Sequence, residues 1–213
     1  MELTQQQLDY VNSFLDKKGI DYIDFRIEIF DHIVTEIETF LQNESIDFHT
    51  AFENTVNKWE TLLQKKHSWL LGFLFKAPYL VIKKAIKLFF PTSIILFSLF
   101  FLVLYTIYSQ HEFNYIYLLL EKPVKTVFFL GSFSWLFIIY KILTDTQKTV
   151  YSFIVKTQAT GIVIIPIIIF LKNSTINLFI TTTLLILICS TISNAWFYRK
   201  HLIEKEKYQF LFK

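Results

Sequence analysis

Residues 88–110, "LFFPTSIILFSLFFLVLYTIYSQ", contain no Asp, Glu, Lys or Arg. Wound as an α-helix rising ~1.5 Å per residue, such a run is longer than the ~30 Å hydrocarbon thickness of a bilayer. A soluble fold of 213 residues would have to cover that helix on every side. The composition points the other way: 53% of residues are hydrophobic, 24 are Phe, and the 18% charged fraction lies below that of ordinary soluble domains. The chain is therefore expected to be a membrane protein.

Three more stretches have the same character. Residues 126–143, "TVFFLGSFSWLFIIYKIL", form a short second span, with Pro123 suited to a first-turn position. Residues 157–171 surround "TGIVIIPIIIFL"; Pro166 predicts a kink, and Lys156 can reach toward the headgroups. Residues 174–198 are uncharged and carry Asn177, Thr181 and Asn194, polar groups expected to face other helices.

Lys and Arg beside the spans set the orientation, because the cytoplasmic side keeps the excess. Lys76, Lys83, Lys84 and Lys87 precede the first span, Lys141, Lys148 and Lys156 lie between the second and third, and five follow the fourth. Only Lys122, Lys125 and Lys172 fall on the opposite side, so both termini are expected in the cytoplasm. The N-terminus "MELTQQQLDY" has no signal-peptide pattern, in keeping with that orientation.

Charge is segregated along the chain. Residues 1–66 hold 13 Asp and Glu against 6 Lys and Arg, whereas residues 67–213 hold 5 against 15. A sign change of this size marks a boundary between environments. The expected architecture is an all-α membrane protein: an acidic three-helix cytoplasmic domain (1–66), a basic amphipathic interfacial segment (67–87), four transmembrane helices (88–198) and a basic cytoplasmic tail (199–213). In the interfacial segment, Lys76, Lys83, Lys84 and Lys87 would contact anionic lipid headgroups.

Within residues 1–66, Thr4 and Gln7 form a capping box, and Lys17, Lys18 and Gly19 supply a stop, predicting a helix over 5–18. Asp21 can cap a second helix ending near "NESID", and Asp47 or Ser45 a third. On the second helix, Ile23, Ile27, Ile29, Phe30, Ile33, Val34 and Ile37 share an apolar face. Asp24, Glu28, Asp31, His32, Glu36 and Glu38 lie opposite, with Glu28 and Glu36 one turn either side of His32.

A metal site on that face would need ligands projecting inward from facing helices, and one outward-facing helix does not supply them. The stripe Asp24, Glu28, Asp31, His32 and Glu38 reads instead as a solvated, partner-facing surface that His32 could tune near neutral pH. Arg26 falls inside the apolar arc, where a guanidinium needs a carboxylate. Asp16, Glu53 and Glu60 are its candidate partners in a structural ion pair.

The stretch "YIDFRIEIFDHIVTEIETFLQNESIDFHTAFENTVNKW" resembles the HAAS-type helical domain, and the N-terminal part of bacterial membrane proteins with the pattern D-x-R-x-E-[IL]-x-D-H-x-x-x-x-I-E. The pattern is met at Asp24, Arg26, Glu28, Ile29, Asp31, His32, Ile37 and Glu38, while the usual Leu-Gly-x-Pro end is missing after Trp59. The resemblance implies a cytoplasmic interaction module in a bacterial inner membrane, without catalytic residues. Similar domains precede membrane helices in signalling proteins often encoded beside PadR-type regulators, and in some permeases.

Phosphate-loop, dinucleotide, zinc-protease and nucleophile-elbow motifs are missing, and the chain has four glycines, too few for a phosphate cradle of the usual kind. The sole cysteine, Cys189, excludes an intrachain disulfide. No cofactor and no catalytic residues are expected. An acidic soluble domain opposes nucleic-acid binding. The expected function is non-enzymatic signalling, scaffolding or regulation through a protein partner at the cytoplasmic face. The alternative is a transporter or channel subunit, conducting as a homo-oligomer along Lys156, Pro166 and the polar residues of the fourth span.

Overall fold

The computed structural model of the 213-residue chain describes residues 2–43, 46–108, 113–162 and 178–208. The chain divides into two compact units. Unit 1 comprises Met1–Ala85, Thr146–Phe153 and His201–Lys213; unit 2 comprises Ile86–Asp145 and Ile154–Lys200.

Unit 1 begins with three helices. α1 (Gln5–Lys18) starts where the Thr4 amide donates to Gln7 Oε1 at 2.8 Å, and it stops at Gly19, whose φ of 67° is the left-handed conformation a terminating glycine accepts freely. α2 (Ile23–Asn43), which buries Ile23, Phe25, Ile29, Ile33 and Ile37, packs on α1, where Val11 and Leu15 are buried, and on α3 (Phe48–Leu63), where Ala51 and Phe52 are buried. Asp47 is the cap of α3, its Oδ2 accepting from the His49 amide at 3.0 Å; Ser45 lies outside the described residues. These bonds, led by the one from the Thr50 hydroxyl, hold the Asp47 carboxyl below its ordinary value.

Residues 67–87, the expected interfacial segment, are not all helical. β1 (Lys65–Ser68) and β2 (Gly72–Pro78) form an antiparallel hairpin pairing Lys65 with Pro78 and His67 with Lys76. Ser68 Oγ accepts from the Leu71 amide at 3.2 Å and closes the turn, while Gly72 and Pro78 bound a strand too short and too interrupted for a helix. Trp69 at the tip is 89% exposed. Helix α4 (Tyr79–Tyr108) then starts nine positions before the expected 88, and Lys83, Lys84 and Lys87 belong to its first turns.

In α4, Tyr79–Leu102 is long and apolar enough to cross a membrane, with a mean hydropathy of 2.0 over its most apolar window and 6% of that window buried. Phe90, Ile94, Ile95, Phe97, Leu99 and Phe101 stand exposed, a surface that water tolerates poorly. Thr92 and Ser93 return hydrogen bonds to the Phe89 carbonyl beside Pro91, which has no amide hydrogen to give.

Unit 2 contains the rest of α4, all of α5 (Phe113–Thr144), and most of α6 (Val150–Ile162) and α7 (Leu178–Lys207). α5 is longer than the expected 126–143, with an apolar stretch at Leu130–Thr144, and α7 carries on into the basic tail as far as Lys207. Trp135 and Leu187 are buried together with Ile139 and Ala159 packed on them, and Gly131 faces Leu187 and Thr191 closely. Asn194 is fully buried, whereas Lys156 is exposed. Pro166 with its expected kink, and Asn177, lie outside the described residues, as does the side chain of Thr181.

Candidate functional site

The site is built on the first turn of α2, in unit 1. The segment 146–153 lies along it as a strap: Tyr22 and Lys148 form an isolated parallel bridge, the Ile23 amide donates to the Lys148 carbonyl at 2.8 Å, and Lys148 Nζ meets Asp21 Oδ2 at 2.9 Å. Asp21 therefore engages the strap, where the sequence had offered it as a helix cap.

Asp24 closes the strap. Its carboxylate accepts the Val150 amide, the first of α6, at 2.9 and 3.2 Å across a separation of 126 residues. Helix N-termini leave amides without partners, so a carboxylate there satisfies a donor and meets the positive end of the helix dipole. Thr149 and Ser152 complete the cap reciprocally: the Ser152 amide donates to Thr149 Oγ1 at 3.1 Å and the Thr149 amide to Ser152 Oγ at 3.0 Å. Thr149 Oγ1 also lies 2.9 Å from Nδ1 of His201 on α7, and both residues are fully buried.

Burial governs the electrostatics. The Asp24 carboxyl is pushed up to about 6, mainly by desolvation and in part by Glu204, against the Val150 amide and Lys84, which favour its charge. Tyr22 is pushed up to about 12 by burial and then by the charges of Asp21 and Asp24. Tyr151 is raised by burial first and then by the charges of Glu204 and Asp24.

The acidic stripe is thus divided. Asp24 is only 8% exposed, which corrects its expected place on the partner-facing surface: the helical wheel put it outward, and the strap covers it. Glu28 pairs with Lys84 of α4, which is thereby held within unit 1, whereas Lys76, Lys83 and Lys87 remain exposed. Glu38 Oε1 accepts the Leu3 amide at 3.0 Å. Asp31 and His32 stay exposed, with the His32 ring stacked on Trp59 at 6.3 Å between centroids. Glu36 pairs with Lys58 and accepts Trp59 Nε1 at 2.9 Å. Among the described residues, no group of three or more His, Cys, Asp or Glu could hold a metal ion.

Arg26 meets one of its three candidate partners, with Nη1 2.5 Å from Asp16 Oδ1 and Nη2 3.1 Å from the Asn12 carbonyl. Sequence reasoning missed the strap. The Thr149-x-x-Ser152 spacing is a capping signature that could have located the start of α6, but nothing local links it to Asp24. His201, three residues beyond the uncharged stretch 174–198, is fully buried.

Around the strap, α2, α4, α6 and α7 line an open groove of about 470 Å³ that includes Phe30, Asp31, Lys84, Tyr151 and Glu204. Comparison of the chain with protein-family models, curated proteins and solved structures finds no match.

Proposed function

We propose that the chain is a non-enzymatic, multi-pass protein of the bacterial cytoplasmic membrane, with both termini cytoplasmic, whose unit 1 serves signalling, scaffolding or regulation by holding a protein partner. The observation that carries this reading is the bond from Val150 to Asp24. Through it, the acidic domain grips the start of α6, so a partner on α2 has a mechanical route to a helix 126 residues away.

The four-span topology has its own support. Unit 1 collects Met1–Ala85, Thr146–Phe153 and His201–Lys213, the regions that the Lys and Arg count assigns to one side of the membrane. Each excursion into unit 2 begins and ends at unit 1, so a crossing by α4 requires a return, for which the apolar stretch Leu130–Thr144 of α5 is available. Likewise α6 leaves unit 1 and α7 returns to it. The likeness of residues 24–38 to HAAS-type domains agrees with an interaction module.

The test is co-purification from native membranes with the full-length protein in mild detergent, wild type against Asp31→Ala/His32→Ala. A partner lost with the variant is the expected result. An unchanged set of partners on a folded variant removes the assignment.

A second reading, a transporter or channel subunit, is favoured by Asn194, which is fully buried with neither amide atom hydrogen-bonded among the described residues. Intramembrane polar groups of this kind often mark a path for ions or substrates. Uptake into vesicles carrying the protein, abolished by Asn194→Leu, would support it.

A further inference from the structure

The groove of unit 1 has four carboxylates, Asp24, Glu28, Asp31 and Glu204, against the amines of Lys84 and Lys207. Two of the four are committed: Glu28 to Lys84, and Asp24 to the Val150 amide. Asp31 and Glu204 form no ion pair or side-chain hydrogen bond among the described residues. The half-buried side chains of Phe30 and Tyr151 line the same groove.

We infer that this groove docks a basic segment of a partner protein, with a guanidinium or ammonium group held between Asp31 and Glu204 and its aliphatic stem laid on Phe30 and Tyr151. The inference rests on reading unit 1 as an interaction module, and it names the chemistry of the partner. Charge selects the occupant, because an acidic groove repels phosphate-bearing surfaces and favours cations. Aromatic faces add an attraction for cations that aliphatic walls lack. A volume of about 470 Å³ accommodates one or two long side chains and leaves the rest of the segment on the rim.

The groove also connects binding to the strap. Asp24 on its inner wall is faced by Lys84 from α4, Tyr151 from α6, Glu204 and Lys207 from α7, and Tyr22, Glu28 and Asp31 from its own helix and the turn before it. A cation bound there favours the ionised form of Asp24. Binding therefore releases a proton where Asp24 titrates, and affinity rises between about pH 5 and pH 7.

The test uses the full-length protein in neutral-lipid nanodiscs and a fluorescein-labelled peptide alternating Arg with Leu, with empty nanodiscs subtracted. A twin peptide with Glu replacing Arg is the charge control. The Arg peptide is expected to bind and the twin not. Asp31→Asn/Glu204→Gln should weaken binding about three- to tenfold, the range for two exposed ion pairs. Asp9→Asn/Glu53→Gln, equally acidic but outside the groove, should leave it unchanged.

Equal binding of both peptides, equal loss in both double variants, or no loss in Asp31→Asn/Glu204→Gln overturns the inference. So does a dimer in solution that Asp31→Asn/Glu204→Gln dissolves, because the occupant is then a second copy. If Asp31→Ala/His32→Ala sheds a native partner while the peptide ignores Asp31→Asn/Glu204→Gln, the module reading stands and the groove assignment falls. Peptide binding with the expected loss, but no native partner, leaves the groove and removes the module reading.

Discussion

The Asp24 carboxylate accepts the amide of Val150 at 2.9 Å from inside the protein, where the carboxyl is 8% exposed. Two effects oppose each other at this contact. Closing the N-terminus of α6 with a charged acceptor contributes about 1.5–3 kcal/mol, while burial penalises the same charge. The carboxyl rises to about 6, so desolvation outweighs the amide and Lys84 together. The bond fixes geometry at the expense of a strained charge, and a neutral acceptor in the same place would keep the geometry.

Asp24→Asn should therefore retain the strap and change the pH dependence. The folded carboxyl titrates near 6 against an ordinary 3.8, so the folded state holds the proton more tightly than the unfolded chain. Its contribution to stability is full below about pH 4 and is lost as pH rises through about 6, a difference of about 3 kcal/mol. Denaturation from pH 4 to 8 should show the wild type losing ground to Asp24→Asn over that window, with no further divergence above it. Asp24→Leu, which leaves the Val150 amide without an acceptor, should be less stable than either at every pH.

Much of unit 1 could be read from local pattern. The Thr4 cap, the Gly19 stop, Asp47 and the need of Arg26 for a carboxylate all depend on residues near in sequence or on one helical face. The strap could not, because Asp24 and Val150 are separated by two long apolar helices and no periodicity links them. The wheel for α2 placed Asp24 correctly opposite Ile29 and Ile33 but had no means of knowing that residues 146–153 would cover that side. The hairpin was not legible for another reason: lysines mixed with aromatics mark an interfacial segment without fixing its backbone, and Gly72 and Pro78 delimit a strand within it.

Arg26 and Asp16 should contribute unequally although they form one pair. The Asp16 side chain is 68% exposed, so Asp16→Ala loses a screened contact of about 1 kcal/mol or less. The Arg26 side chain is 24% exposed and also serves the carbonyls of Asn12 and Ile20, so Arg26→Met should cost about 1–3 kcal/mol. Urea denaturation of the two variants decides it; equal losses would mean that the ion pair alone matters.

Single cysteines report the topology. With Cys189 replaced by Ser, Lys122→Cys should react with an impermeant maleimide added to intact cells, whereas Gln147→Cys and Lys205→Cys should react only after the membrane is opened. Labelling of Lys205→Cys from outside would break the link between unit 1 and one side of the membrane.

Asn194→Leu separates the two functional readings. The native amide is fully buried with both atoms unbonded among the described residues, and each unsatisfied polar group in such a place costs about 1–3 kcal/mol. Leu has similar bulk and no polar atom, so on the signalling reading the variant should resist thermal unfolding in detergent better than the wild type and keep its protein partner. On the transport reading the amide is a step in a path, and the same substitution should stabilise the protein while abolishing uptake in vesicles. A destabilised variant would show that the amide has a partner that holds α7 in place, and would remove the support that Asn194 lends to the transport reading.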